Sequence, residues 1–237
     1  MLEIKNFSKT YDGGRTFAVK DANFIVEKGD IVAFIGHNGS GKSTTLKAIA
    51  GVLDFERGDI LFEGLSVKQD AYKIKKMIGY LPETLQLYEF LTGYQFLNFI
   101  ANVFDVDKIT RQEVILKYAR IFKIEEALYN QIETYSHGMK QKTAVIALLM
   151  HSPKLILLDE PFFGLDPQAT FDFKNIMLDL AKEGVSILYS THVLDVAEKL
   201  ATSLVIISKG EVVKQGKMHE IIKDKSLEKF FLEISNE

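Results

Sequence analysis

The sequence has no cysteine, no excess of basic charge and no long apolar run. Without cysteine there is no disulfide framework, no zinc-thiolate site and no thiol catalysis, a composition that suits a cytoplasmic protein. Lysine and arginine number 29 against 32 aspartates and glutamates, a net charge of −3, so the overall balance does not point to nucleic acid. The longest apolar runs, such as Ala144 to Met150, fall far short of the roughly 18 residues that span a bilayer. The opening MLEIKNFSKTY lacks the pattern of a signal peptide. The expectation is a chain soluble by itself, with any membrane role exerted through a partner. No linker, internal repeat or low-complexity segment interrupts its 237 residues, which suffice for one large α/β domain.

The most informative stretch that is present runs from Gly36 to Thr44, GHNGSGKST, directly after the apolar run Ile31 to Ile35. Five apolar residues ending at glycine predict a buried strand, and the following TTLKAIAG predicts a helix. Gly36, Gly39 and Gly41 let the backbone bend closely around an anion, with N–H groups turned toward phosphate oxygens. The helix N-terminus adds its positive dipole end. Lys42 supplies charge for the β- and γ-phosphates, and the Ser43 hydroxyl can ligate a bridging Mg2+. Gly36, His37, Asn38, Gly39, Ser40, Gly41, Lys42, Ser43 and Thr44 are therefore the candidate ATP-binding residues, with Lys42 also a catalytic candidate. A glycine turn with an incidental lysine would not require these flanks.

Around this loop the chain predicts short antiparallel strands at Leu2 to Ile4, Phe17 to Val19 and Ala22 to Val26, separated by Asp12-Gly13-Gly14 and Lys28-Gly29-Asp30. Tyr11 beside the first turn either stacks on a nucleotide base or packs on its own hairpin. Further strands are expected within Asp54 to Gly64 and over Met77 to Leu81. Thr92 is a predicted N-cap, with Phe96, Phe99, Ile100, Val103 and Phe104 on one helical face. That face is either ordinary core or a groove that accepts a partner's helix. Residues 105–133 continue polar and helical. Ser136 is placed to cap a helix running through Leu149, a polar turn suited to anions but equally to plain capping.

Leu155 to Leu158 predicts a second buried strand that runs straight into Asp159-Glu160-Pro161. Carboxylates at a buried strand's end require pairing, hydrogen bonds or a metal, and a Mg-nucleotide would satisfy them. Asp159 is the candidate metal ligand, and Glu160 the candidate base for the attacking water. Val185 to Ser190 predicts a third strand ending in Thr191-His192, which puts His192 at the strand ends where ligands collect, near the γ-phosphate. Leu204 to Ile207 and Val212-Val213 predict a closing strand pair. Leu227, Phe230, Phe231 and Ile234 mark an amphipathic helix, expected to pack back on the domain.

Together, Tyr11, GHNGSGKST, YSHGMKQ, LILLDEP, FGLD at Phe163 to Asp166 and STH at Ser190 to His192 resemble the ATP-binding cassette family in kind and order, over nearly the whole chain. The resemblance implies an α/β P-loop NTPase core with an antiparallel β subdomain and an inserted helical subdomain. It implies one domain over 1–237: core and β subdomain at 1–84 and 134–216, helical subdomain at about 85–133, C-terminal helix at 217–237. It also implies a head-to-tail dimer with a second cassette, each ATP held by one subunit's loop and the other's Ser136 and Gly138. The family's usual signature is LSGGQ, of which only Ser136 and Gly138 remain. Glu83 stands where the family usually has a glutamine near the metal, and with YSHGMKQK it resembles exporter-type cassettes of the ABC-2 kind. The implied function is an ATPase subunit at the cytoplasmic face of the membrane, energising transport through a separate transmembrane permease without any nucleic-acid partner. A soluble cassette acting on ribosomes or nucleic acid is the alternative.

Overall fold

A computed structural model describes residues 1–12, 16–223 and 225–235. Gly13 and Gly14 of the predicted turn, and residues 224 and 236–237 of the predicted C-terminal helix, lie outside the described residues. In chain order, β1 (Leu2–Thr10) and β2 (Phe17–Val26) precede β3 (Ile31–Ile35), which leads into α1 (Lys42–Ile49). Then come β4 (Arg57–Phe62), β5 (Leu65–Ser66), α2 (Ala71–Lys75) and β6 (Ile78–Leu81). A helical stretch follows, with α3 (Gly93–Val103), α4 (Lys108–Phe122), two short 3₁₀ turns and α5 (His137–Leu149). The chain continues as β7 (Leu155–Asp159), α6 (Pro167–Lys182), β8 (Ser186–Thr191) and α7 (Leu194–Leu200). It ends with β9 (Ser203–Ser208), β10 (Glu211–Lys217), α8 (Met218–Ile222) and α9 (Leu227–Ser235).

Two sheets result. The larger has the order β10-β9-β3-β8-β7-β6 and is parallel except for β10; the smaller, β2-β1-β4-β5, is antiparallel. β3, β7 and β8 are buried at every position, as their unbroken apolar runs require of parallel strands covered on both faces. Strand alternation divides the interior in two. Ile31, Ala33 and Ile35 face a core shared with α3 to α7, while Val32 and Phe34 face a core shared with α1 and the antiparallel sheet. The phosphate-binding loop thus leaves a strand whose two faces both lie in apolar cores, as do those of its neighbours β8 and β9. Among the described residues no helix is long and apolar enough to cross a membrane.

Three expectations need correction. Phe17 to Val19 and Ala22 to Val26 form one strand, because Asp21 takes a positive φ of 46° and its backbone N–H bonds the Ser8 hydroxyl, so the chain passes through an irregularity without leaving the sheet. On α3 the core-facing arc is rotated toward Leu97 and Ala101, both fully buried, which leaves Phe99 and Val103 exposed. The tail from 217 is two helices, with Lys223 at a φ of 46° turning the chain between them. The capping expectations hold. Thr92 Oγ1 accepts from Gln95 N at 3.1 Å, and Gln95 Oε1 accepts from Thr92 N at 2.9 Å. Thr92→Ala removes the first of these bonds, so we expect a loss of about 1 kcal/mol, read as a lower urea midpoint at unchanged slope.

Candidate functional site

The site is built where β3, β7 and β8 end. At the exit of β3 the loop is threaded so tightly that a Cβ on Gly36 would come within 2.3 Å of the Ile207 carbonyl. At Gly41, with φ of 108°, a Cβ would come within 2.6 Å of the Ala18 carbonyl. Neither position can carry a side chain without moving β9 or β2. Lys42, the first residue of α1, is buried, and its Nζ donates to the Gly36 carbonyl at 2.7 Å and the His37 carbonyl at 3.1 Å. Burial pulls its ammonium below the usual lysine range, while the charges of Glu160, Asp159 and Glu83 oppose that shift.

Strand register brings the acids to this loop. Ile35 pairs with Thr191, and Asp159 pairs with Ser190, so all three strand ends share one rim. Asp159 is 2% exposed, and its Oδ1 accepts from Ser190 Oγ at 2.6 Å. The same hydroxyl accepts from the backbone N–H of Glu160 at 3.0 Å. Glu160 takes a φ of 49°, a strained value for this residue type, at the turn out of β7. His192 Nδ1 lies 3.0 Å from Glu160 Oε1. Burial, with Asp159 and Glu83 nearby, pushes the Tyr80 phenol upward, so it stays neutral beside them.

A cavity of 1060 Å³ opens between these walls. It is lined by Gly36, His37, Asn38, Gly39, Gly41, Lys42, Ser43 and Thr44 on the loop side, with Tyr11, Glu83, Asp159, Glu160 and His192 around them. Tyr11 is 64% exposed at the mouth; its hydroxyl lies 3.1 Å from Thr44 Oγ1, and Lys9 Nζ lies 5.7 Å from its ring centroid. Ser40 does not line the cavity. Its hydroxyl is buried close to Gly36, without a hydrogen-bond partner among the described residues. Ser136 and Gly138 do not line it either. Ser136 caps α5 by accepting from Met139 N at 3.2 Å, and a Cβ on Gly138 would sit 3.0 Å from the Gly164 carbonyl. Three residues named in the sequence were not assigned to this cavity. Ser190, from the strand-end STH, joins the two acids; Phe163, from the FGLD stretch, and Phe231, from the amphipathic tail, both line the cavity.

The donor set suits a Mg-nucleotide. Three carboxylates face one ammonium, so a triphosphate alone would add negative charge to an already acidic rim. Among the described residues no group of three or more acidic, histidine or cysteine side chains could hold a metal. A cation there would take its remaining ligands from phosphate and water, as magnesium does. A second cavity, a groove of 640 Å³, lies on the far side of Glu83 and shares Ser43, Glu83 and Asp159 with the first. Leu87, Phe96, Ile100, Phe104 and His151 line it, and the Phe104 and His151 rings stack at 3.8 Å.

A glycine loop closing on a buried lysine, opposite strand-end acids in a parallel sheet, is the architecture of a P-loop ATPase. The ABC transporter family model matches residues 19–163. The ABC-type transporter ATP-binding protein EcsA of Bacillus subtilis is 34% identical over all of this chain and 97% of its own length. The linearmycin resistance ATP-binding protein LnrL of the same species is 32% identical over 91% of this chain and 69% of its own. A solved ATP-binding subunit of an ABC transporter superposes with a TM-score of 0.94 at 33% identity, covering 99% of both chains. A dimeric ATP-binding cassette bound to ADP and Pi shares the fold, with a TM-score of 0.84 at 24% identity over 92% of this chain and 99% of its own. The chain belongs to the ABC transporter family, as an ATP-binding subunit with ATPase activity.

Ser190→Ala would leave buried Asp159 without this donor and Glu160 N–H without this acceptor. We expect a loss of about 1–3 kcal/mol in urea unfolding, together with reduced ATP turnover. An unchanged midpoint would show that the hydroxyl holds neither acid.

Proposed function

We propose that this subunit energises transport, in the export direction, through a separate membrane-spanning subunit, and that it does so by closing on ATP with a second cassette. The observation that carries this reading is the separation of Ser136 and Gly138 from the cavity of their own chain. The N-terminus of α5 has the unsatisfied amides and positive dipole end that suit an anion. Contributed by a second cassette, identical or not, it would meet the γ-phosphate held by Lys42. ATP then joins the two subunits, and its hydrolysis removes the contacts that hold them closed.

Within one site each residue has a task. Tyr11 offers its ring to the base. Lys42 exchanges the Gly36 and His37 carbonyls for phosphate oxygens, and the loop from Gly36 to Thr44 wraps the phosphates. Ser43, Asp159 and Glu83 would hold the metal. A metal held there would supply charge stabilisation for the transferred phosphoryl group. Glu160 accepts the proton of the attacking water, and His192, 3.0 Å away, orients it and reaches the γ-phosphate.

The apolar groove beyond Glu83 suits an amphipathic helix of the membrane subunit, and the shared wall of Ser43, Glu83 and Asp159 makes a short route from nucleotide to partner. In this reading 1–237 is a single cassette: core and β subdomain at 1–84 and 134–216, helical subdomain at about 85–133, and a packed tail. It lies on the cytoplasmic face of the membrane, held there by its partner. Export is supported by Glu83 with YSHGMKQK, and by the resistance role in the name of LnrL.

Two experiments test the proposal. Glu160→Gln should bind ATP, lose turnover and elute from gel filtration as an ATP-dependent dimer, and adding Lys42→Ala should return it to monomer. A Glu160→Gln monomer with normal turnover would refute the base assignment. Affinity capture of the tagged chain from mild-detergent extract should bring down a polytopic membrane protein in equal amount, whereas ribosomes or nucleic acid would move the ATPase to a soluble role.

A further inference from the structure

The last helix touches two walls of the nucleotide cavity at once. Leu227, its first residue, is fully buried and donates its backbone N–H to Glu198 Oε2 at 2.8 Å, which ties α9 to α7. α7 starts at Leu194, just after His192, and both residues line the cavity. One turn beyond Leu227, Phe231 lines the cavity too, its ring centred 5.1 Å from the ring of His37 and tilted by 51°. His37 shapes the loop. Its carbonyl accepts Lys42 Nζ at 3.1 Å and Ser40 N at 3.1 Å, so it both closes the turn and parks the lysine.

We propose that Phe231 is a positioning residue for ATP binding: through the His37 ring it holds the glycine loop in the shape that receives phosphate. The inference rests on ATP occupying this cavity. The physical case is entropic and local. Gly39 and Gly41 give the loop left-handed φ values of 78° and 108°, and a Cβ on Gly39 would meet nothing within 4 Å, so packing there does little to confine the turn. A ring contact at His37 restricts that freedom before ligand arrives, and a preformed loop loses less entropy on binding. Phe231 also packs on the core, but so do Leu227, Phe230 and Ile234 from other positions of α9, so the helix can stay docked when residue 231 changes.

The test is calorimetric titration of Mg-ATP into the whole chain, with steady-state turnover and apo thermal midpoints measured beside it. Phe231→Ala should weaken ATP binding about threefold to tenfold, the range of one aromatic pair. KM should rise by a similar factor, kcat should stay within about twofold, and Phe231→Tyr should restore affinity. Phe231→Leu keeps apolar volume against the core and should show the same weakening should the alanine variant fold poorly. Unchanged affinity in a well-folded Phe231→Leu chain overturns the proposal, as does a kcat loss at unchanged KM. Lys42→Ala separates the two levels. If it still binds ATP normally the cavity assignment itself fails, whereas lost binding there with wild-type affinity in Phe231→Leu removes only the role of Phe231.

Discussion

One buried ammonium among three carboxylates is the constraint around which this protein is arranged. Lys42 is desolvated at the first turn of α1, which lowers its pKa, and the negative charges of Glu160, Asp159 and Glu83 oppose that shift. Asp159 is in turn buried, and the hydroxyl of Ser190 on the neighbouring strand both donates to it and accepts the backbone of Glu160. Moving any one of β3, β7 or β8 along its axis would break this set of contacts. The parallel register is thus tied to the charge arrangement as much as to apolar packing.

The two cores explain why the loop can be held so closely. β3 sends alternate side chains into each, so neither face of the strand has freedom to rock, and the glycines that follow pass against β9 and β2 with no room for a Cβ at Gly36 or Gly41. On the loop side the cleft is confined at Gly36 and Gly41. It is more open on the other, where Tyr11 and His192 are 64% exposed and carry a 62% exposed side chain respectively. α9 adds a contact at the loop's remaining free edge, through Phe231 and His37.

The nucleotide cavity and the apolar groove meet at Ser43, Glu83 and Asp159. A carboxylate at position 83, rather than an amide, places negative charge on that shared wall. The groove's stacked Phe104 and His151 rings lie on the far side, in a region where burial keeps the imidazole below its usual range and therefore neutral.

Much of this was legible in order along the chain. The phosphate loop, the buried strands around it, the Thr92 and Ser136 caps and the strand-end acids depend on residues within a few positions of one another, and local sequence carries that information. Phe99 and Val103 were misplaced because helical periodicity defines an apolar arc, not which part of it meets a neighbour; Leu97 and Ala101 turned the arc inward. Ser40 belongs to the loop by sequence, yet its hydroxyl is buried close to Gly36. By itself the sequence determined the loop's chemistry, its lysine, its acids and the strands that carry them. Only the tertiary structure decided that Ser190 joins the acids, that Phe231 rests on His37, and that Ser136 and Gly138 lie away from their own cavity. Those relations depend on strand register and helix docking between segments distant in the chain, where no local spacing records which side chains meet.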